Sequence, residues 1–326
     1  MKRAAARTEC STSPSLTFRD RPLDGQNGME QSAIGGMSLS VALRLGRISN
    51  LPTVWTNVLA GVVLSGAAIT APPTLLLVAS LSLFYVAGMF LNDAFDRDFD
   101  RRNRPDRPIA AGEVAAETVF IWGFGLLASG LAGLLAVGYG TSAGTGWRAL
   151  AGGMLLAATI VAYNRWHKAN PFSPLLMGLC RFFVYLIAGL AVTTTLSEPL
   201  LLSATVALCY LIGLTYAAKQ ERLQRIEGLW PFLFLAVPFV YGVPLAAASS
   251  AALVLYLLLL GTVISALIFL FWPDGQNIQR AMTLLIASIS LLDGLFIAGQ
   301  KQPLLAEATV AAFALTLGFQ RFIAGT

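Results

Sequence analysis

The sequence predicts an all-α, polytopic transmembrane bundle of nine or ten helices, and three observations carry that expectation. Hydrophobic residues make up 56% of the 326 positions and charged ones only 12%, with a mean hydropathy of +0.70. The apolar residues gather in uncharged runs of about 18 or more, long enough to cross a bilayer core and too extensive for a soluble domain to bury. Most of the 22 Lys and Arg lie before the first run or in the short segments after alternate runs, leaving Arg148 and Lys301 for the opposite side and Arg181 inside the membrane. That asymmetry places the N-terminus in the cytoplasm, and the net charge of +5 reports orientation rather than nucleic-acid binding.

Residues 1–38 are polar, mix Arg3, Arg7, Arg19 and Arg21 with Glu9, Asp20, Asp24 and Glu30, and lack an apolar core of signal-peptide length. They are expected to form a disordered cytoplasmic tail, with residues 39–326 as a single transmembrane domain. From Ser38 the pattern Val41, Leu43, Arg44, Leu45, Arg47, Ile48 predicts a short interfacial helix. Hydropathy then predicts spans near 50–69, 72–92, 115–136, 147–163, 173–194, 199–218, 229–248, 250–272 and 280–299, and a tenth apolar stretch near 303–320 that Glu307 interrupts. Ala71-Pro72-Pro73 and Trp272-Pro273-Asp274-Gly275 mark tight turns. Cys10, Cys180 and Cys209 show no C-x-x-C spacing, and His167 is the sole histidine, which excludes a multi-histidine haem or zinc site.

The chemistry concentrates after the second span, in Asn92-Asp93-Ala94-Phe95-Asp96-Arg97-Asp98-Phe99-Asp100, followed by Arg101, Arg102, Arg104 and Arg107. If the span continues here as a helix, a step of about 100° per residue puts Asp93, Asp96 and Asp100 in one narrow wedge and Asp98 well off it. Carboxylates stacked at i, i+3 and i+7 repel one another. A divalent cation compensates them, and Mg²⁺ takes carboxylate oxygen, water and substrate phosphate. The arginines beyond supply forked donors for the same phosphate oxygens, or serve only as anchors of a solvated interfacial loop.

The pattern N-D-x-x-D-x-x-x-D, followed by R-P-x-x-x-G in Arg107-Pro108-Ile109-Ala110-Ala111-Gly112, resembles the UbiA superfamily of intramembrane prenyltransferases. The resemblance spans roughly residues 40–300. It implies helices around a central cavity and Mg²⁺-dependent alkylation of a membrane-associated or aromatic acceptor by a prenyl diphosphate, within the lipid bilayer and without nucleic acid. It makes Asp93, Asp96, Asp100 and Lys168 the catalytic set, with Asn92, Arg107, Tyr163, Asn164 and Arg181 on the diphosphate. Tyr163 and Lys168 match the family's Tyr-then-Lys loop, although an aromatic belt residue with anchoring cations is the plain alternative. Arg47, Asn50, Pro52 and Asn57 are similar to the family's polar first helix on the acceptor side.

After the sixth span the family carries a second Asp pair, and here the two positions counted back from Gly228 hold Gln224 and Gln220. Glu221 is the nearby carboxylate that could ligate a second metal; otherwise Lys219 and Arg222 act on the diphosphate directly. The depleted motif, with Arg181 and His167-Lys168-Ala169-Asn170-Pro171, resembles the EboC-type branch. It also leaves open a catalytically weak isoprenoid-binding or transport-associated protein. A transporter, however, is expected to carry its acids near the bilayer midplane on broken helices. His167 is either a base or a solvated residue, and Asp293 either a functional acid or a buried contact between helices.

Overall fold

The computed structural model describes residues 37–142, 144–168, 170–223, 230–271 and 275–323, without the side chains of residues 220–223, 231, 275 and 276. Met37–Thr326 packs as one compact unit. All regular structure among the described residues is helical.

The short helix α1 (Leu39–Leu45) starts at Ser38, whose hydroxyl accepts from the Val41 amide, and buries Val41 and Leu45. Arg47 then takes a left-handed conformation (φ 43°, ψ 50°), and a single 3-10 turn leads into α2 (Leu51–Leu64), where Pro52 sits in the first turn and gives up no needed N–H. Helix α3 (Pro73–Asn103) has 31 residues. At ~1.5 Å per residue it is roughly 46 Å long, against ~30 Å of hydrocarbon. Its last third therefore protrudes, and that third carries the aspartates. The span does continue into the acidic segment as one helix.

The bundle goes on through α4 (Ala116–Gly140), α5 (Arg148–Trp166), α6 (Ser173–Val192), α7 (Glu198–Leu223), α8 (Val237–Ala248), α9 (Ser250–Phe271), α10 (Gly275–Ala287), α11 (Ile289–Gly299) and α12 (Pro303–Phe319). Among the described residues six helical stretches are long and apolar enough to cross a membrane, the α10–α11 pair counting as one, and three shorter apolar ones add to them. Two predicted spans are subdivided. The span expected near 229–248 opens as a 3-10 segment, Trp230–Ala236, before α8, with Pro238 in the first turn of α8. The ninth breaks at Ser288, whose hydroxyl lies 2.6 Å from that of Tyr210 and bonds the Leu285 carbonyl at 3.1 Å. The tenth stretch is a helix, α12, that packs on α2 and α11.

Two apolar cores meet at α2 and α6. One is built from α2 to α6, through Leu81, Phe84, Leu91, Leu156 and Ile187; the other runs from α6 through α11, with Tyr210, Leu259 and Leu292. Helix α11 is buried from Ile289 to Ala298, the mark of an interior helix. Where α2 crosses α6, a Cβ on Gly61 would lie 2.6 Å from the Ala188 Cβ and 3.1 Å from the Tyr185 carbonyl. Small residues let membrane helices approach this closely. Gly61→Ala is expected to destabilise by about 1–3 kcal/mol through overpacking; an unchanged thermal midpoint in detergent or nanodiscs would show that the crossing is looser than the structure has it.

Candidate functional site

A cavity of about 290 Å³ lies between α2, α3, α5, α6, α7, α10 and α11. Its depth is apolar, with Leu81, Phe84, Leu156, Val184, Leu211 and Met282, and its mouth is polar, with Arg47, Asn92, Asp93, Asp96, Asp100, Arg104 and Arg107. Such a site fits a ligand with an apolar chain and a charged head.

The protruding end of α3 sets the mouth. Asp93, 3% exposed, accepts from Arg107 Nη1 at 3.1 and 3.3 Å and from Arg47 Nη2 at 3.0 Å. Asn92 accepts from Arg47 Nη2 at 3.3 Å and donates to Asn164 Oδ1 at 3.1 Å. Asn164 in turn donates to the Gly88 carbonyl at 3.0 Å, which staples α5 to α3. Asp96 is held at the end of α5, with Lys168 Nζ at 2.7 Å and His167 Nε2 at 3.4 Å. Lys168 also sits 3.9 Å above the Phe99 ring. His167 is buried rather than solvated: it stacks on Tyr163 with 5.0 Å between ring centroids, and its Nδ1 lies 3.3 Å from the Asn164 carbonyl. Burial first, and then the neighbouring Arg47, pull the Arg107 guanidinium below its usual range, while Asp93 and Asp100 act the other way.

The three aspartates share a face but do not form a cage. Seven residues of helix separate Asp93 from Asp100 by about 10 Å of rise. Among the described residues no three His, Cys, Asp or Glu side chains are placed to hold one metal ion. Asp93 and Asp96 are already neutralised by cations, whereas Asp100, buried and lining the same mouth, makes no ion pair with any described residue. An all-oxygen set with one uncompensated buried carboxylate fits Mg²⁺ that takes one or two carboxylates and completes its shell with water and phosphate oxygens.

Arg181 lines the cavity from α6, with Nη1 3.0 Å from the Thr53 carbonyl and Nη2 2.7 Å from the Thr53 hydroxyl; it also donates to Asn57 Oδ1. Asn57 passes the contact on, since its Nδ2 donates to Asp293 at 2.7 and 2.9 Å. Thr56 and Tyr185 donate to Asp293 as well. The acid and the arginine therefore belong to one network through Asn57, and Asp293, which does not line the cavity, acts as a contact between helices α2, α6 and α11.

Lys219 is absent from the cavity wall and donates to the Asn170 carbonyl at 3.0 Å. The side chains of Gln220, Glu221 and Arg222, and all of Gln224, lie outside the described residues. Sequence reading put Arg47 on the acceptor side and did not pair it with Asp93; the signal was an arginine at the break between two helices. Arg104 lines the cavity with Arg107, as two of the arginines read as phosphate donors, whereas Tyr85 was missed as a cavity residue. Nothing in local sequence marks Tyr85 apart from other membrane aromatics.

Comparison with protein-family models matches residues 53–292 to the UbiA prenyltransferase family. The chain belongs to this family. With its apolar helices, UbiA membership makes it a multi-pass integral membrane protein. Among curated relatives, the digeranylgeranylglyceryl phosphate synthase of Methanoculleus marisnigri is 34% identical over 96 residues, 29% of this chain and 34% of that one. The enzyme of the same name from Methanothrix thermoacetophila is 36% identical over 96 residues, 28% and 36% of the two chains. The chain thus spans about a third of the length of the curated relatives it matches. Among solved structures, the apo UbiA homologue from Aeropyrum pernix K1 superposes with a TM-score of 0.58 at 18% identity, covering 76% of this chain and 94% of that one. A structure from work on digeranylgeranylglyceryl phosphate synthase in membranes gives 0.57 at 20% identity, covering 80% and 98%. Both likenesses show the UbiA fold.

Proposed function

We propose that this UbiA-family protein is an Mg²⁺-dependent prenyltransferase, its domain occupying residues 39–326, that moves a prenyl group from a prenyl diphosphate to an acceptor in the same cavity. The observation that carries the reading is the polarity of that cavity, apolar in its depth and ringed at its mouth by three aspartates and three arginines. The isoprenoid chain fills the depth and the diphosphate lies at the mouth.

Asp93, Asp96 and Asp100 would hold Mg²⁺ through one or two of their carboxylates, and the bound ion would neutralise charge on the diphosphate. Arg107, Arg47 and Lys168 place fixed cations where charge grows on the leaving group, and their ion pairs with Asp93 and Asp96 hold them in place before substrate arrives. Asn92 and Asn164 fix the geometry between α3 and α5, and Tyr163 stacks on the His167 ring that faces Asp96. The allylic C–O bond breaks with its electron pair leaving on the diphosphate. A nucleophilic atom of the acceptor then bonds to the allylic carbon and releases its proton. Apolar walls keep water from the carbon meanwhile.

The relatives' name describes a phosphorylated glycerolipid rather than an aromatic product. Arg181 and Arg47 on the cavity wall favour an anionic acceptor over a neutral one. The excess of Lys and Arg before the first span and after alternate spans supports an N-terminus and an acidic mouth on the cytoplasmic side of the cell's inner or plasma membrane.

The test is incubation of the full chain in nanodiscs with labelled prenyl diphosphates of several lengths, with Mg²⁺ or EDTA, and either a phosphorylated glycerol or an aromatic acid as acceptor. Product of acceptor-plus-prenyl mass that needs Mg²⁺ is expected in the phosphorylated arm. Tight binding without product would favour the isoprenoid-binding reading that Gln220 and Gln224 support. Neither binding nor product at any chain length would sink the proposal.

A further inference from the structure

The tenth predicted span, α12, reaches the site. Gln320, which caps the C-terminus of α12 and lies beyond the residues matched to the family, donates from Nε2 to Asn50 Oδ1 at 2.7 Å. The backbone N–H of the same Asn50 donates to the Arg47 carbonyl at 3.0 Å. The Tyr85 hydroxyl donates to that same carbonyl at 3.2 Å. Arg47 has the left-handed backbone that non-glycine residues rarely adopt, and such a conformation persists only where the surroundings over-determine it. From there its Nη2 reaches Asp93 at 3.0 Å, while its buried Nε has no hydrogen-bond partner among the described residues. An unmatched buried donor beside the acidic face is suited to an incoming anion.

We propose that Gln320 is a positioning residue: through Asn50, and together with Tyr85 on the same carbonyl, it holds Arg47 in the one conformation that presents its guanidinium to Asp93 and to the anionic head of the ligand. α12 is then a working part of the site and not only a tenth span. The inference rests on the prenyl diphosphate reading for what Arg47 meets, but the chain of hydrogen bonds does not.

Affinity for a non-hydrolysable prenyl thiolodiphosphate with Mg²⁺ is measured on the full chain in nanodiscs, for wild type, Gln320→Ala, Gln320→Glu, Tyr85→Phe and the Gln320→Ala/Tyr85→Phe double variant. Hydrogen exchange of the backbone at residues 46–50 is followed in parallel. Loss of one neutral hydrogen bond in the chain corresponds to an affinity loss of about three- to tenfold. Gln320→Glu is expected to match Gln320→Ala, because a carboxylate cannot donate to Asn50 Oδ1. The double variant is expected to lose less than the sum of the two single losses, since both residues fix the same Arg47 carbonyl. Exchange at 46–50 is expected to rise while the melting temperature stays near wild type. Wild-type affinity and exchange in Gln320→Ala would overturn the proposal, as would strictly additive losses in the double variant. Failure of the wild type to bind the analogue would overturn the prenyl diphosphate reading instead, and the exchange result alone would then decide for or against Gln320.

Discussion

Asp293→Ala is expected to cost about 3–5 kcal/mol of stability, the typical result of breaking a buried charge pair by removing one member. Asp293 is fully buried and accepts from Thr56 at 2.5 Å, from Asn57 at 2.7 and 2.9 Å, and from Tyr185. Single hydrogen bonds between membrane helices average only ~0.6 kcal/mol, so lost bonds alone would not reach this figure. The larger effect comes from Arg181, which is attracted to Asp293 across the Asn57 amide and would be left in the bundle without its countercharge. Charge rather than bond count should therefore decide the outcome. Asp293→Asn, which keeps an acceptor oxygen but no charge, should fall close to Asp293→Ala, and adding Arg181→Met to Asp293→Asn should recover part of the loss. Denaturant unfolding in mixed micelles reads all three. A cost below ~1 kcal/mol for Asp293→Ala, or a double variant worse than both singles, would show that the network does not work as a compensated charge pair.

This network also shows where sequence reading stops. The spans were legible because uncharged apolar runs of membrane length have one physical solution, and α3, α4, α6, α7 and α9 fall where hydropathy set them. The face carrying Asp93, Asp96 and Asp100 was legible because helical periodicity is local and the helix continues through Asn103. The break at Ser288 was not, since it answers to Tyr210, 78 positions away. Asp293 and Arg181 each stood out as intramembrane charges, yet their link through Asn57 joins three helices that no local pattern relates. Arg47 on Asp93 spans 46 positions and depends on a left-handed residue between two helices. His167 looked like a loop residue because it follows the last residue of α5, and only the placement of α5 against α3 turns it inward to Asp96.

Substitutions on the acidic face should separate the metal's contribution from that of the resident cations. Each carboxylate stands in a different electrostatic setting. Asp93 is paired to Arg47 and Arg107, Asp96 to Lys168, and Asp100 to none of the described residues. Asp93→Asn and Asp96→Asn are expected to abolish Mg²⁺-dependent binding of a prenyl diphosphate analogue, an affinity loss on the order of a hundredfold when a charge-assisted ligand goes. In EDTA the sign should differ. Asp93→Asn frees two guanidinium groups for the bare diphosphate, so its metal-free affinity should equal or exceed that of wild type. Asp100→Asn frees no cation, and should lower affinity in Mg²⁺ while leaving the EDTA value where it was. Calorimetric titration of the analogue into nanodisc-embedded wild type and the three variants, with Mg²⁺ and with EDTA, measures the eight affinities. If Asp93→Asn and Asp96→Asn bind as tightly as wild type in Mg²⁺, the metal assignment to this face is wrong. If all three variants lose affinity equally in Mg²⁺ and in EDTA, the aspartates serve only to hold Arg47, Arg107 and Lys168 in place.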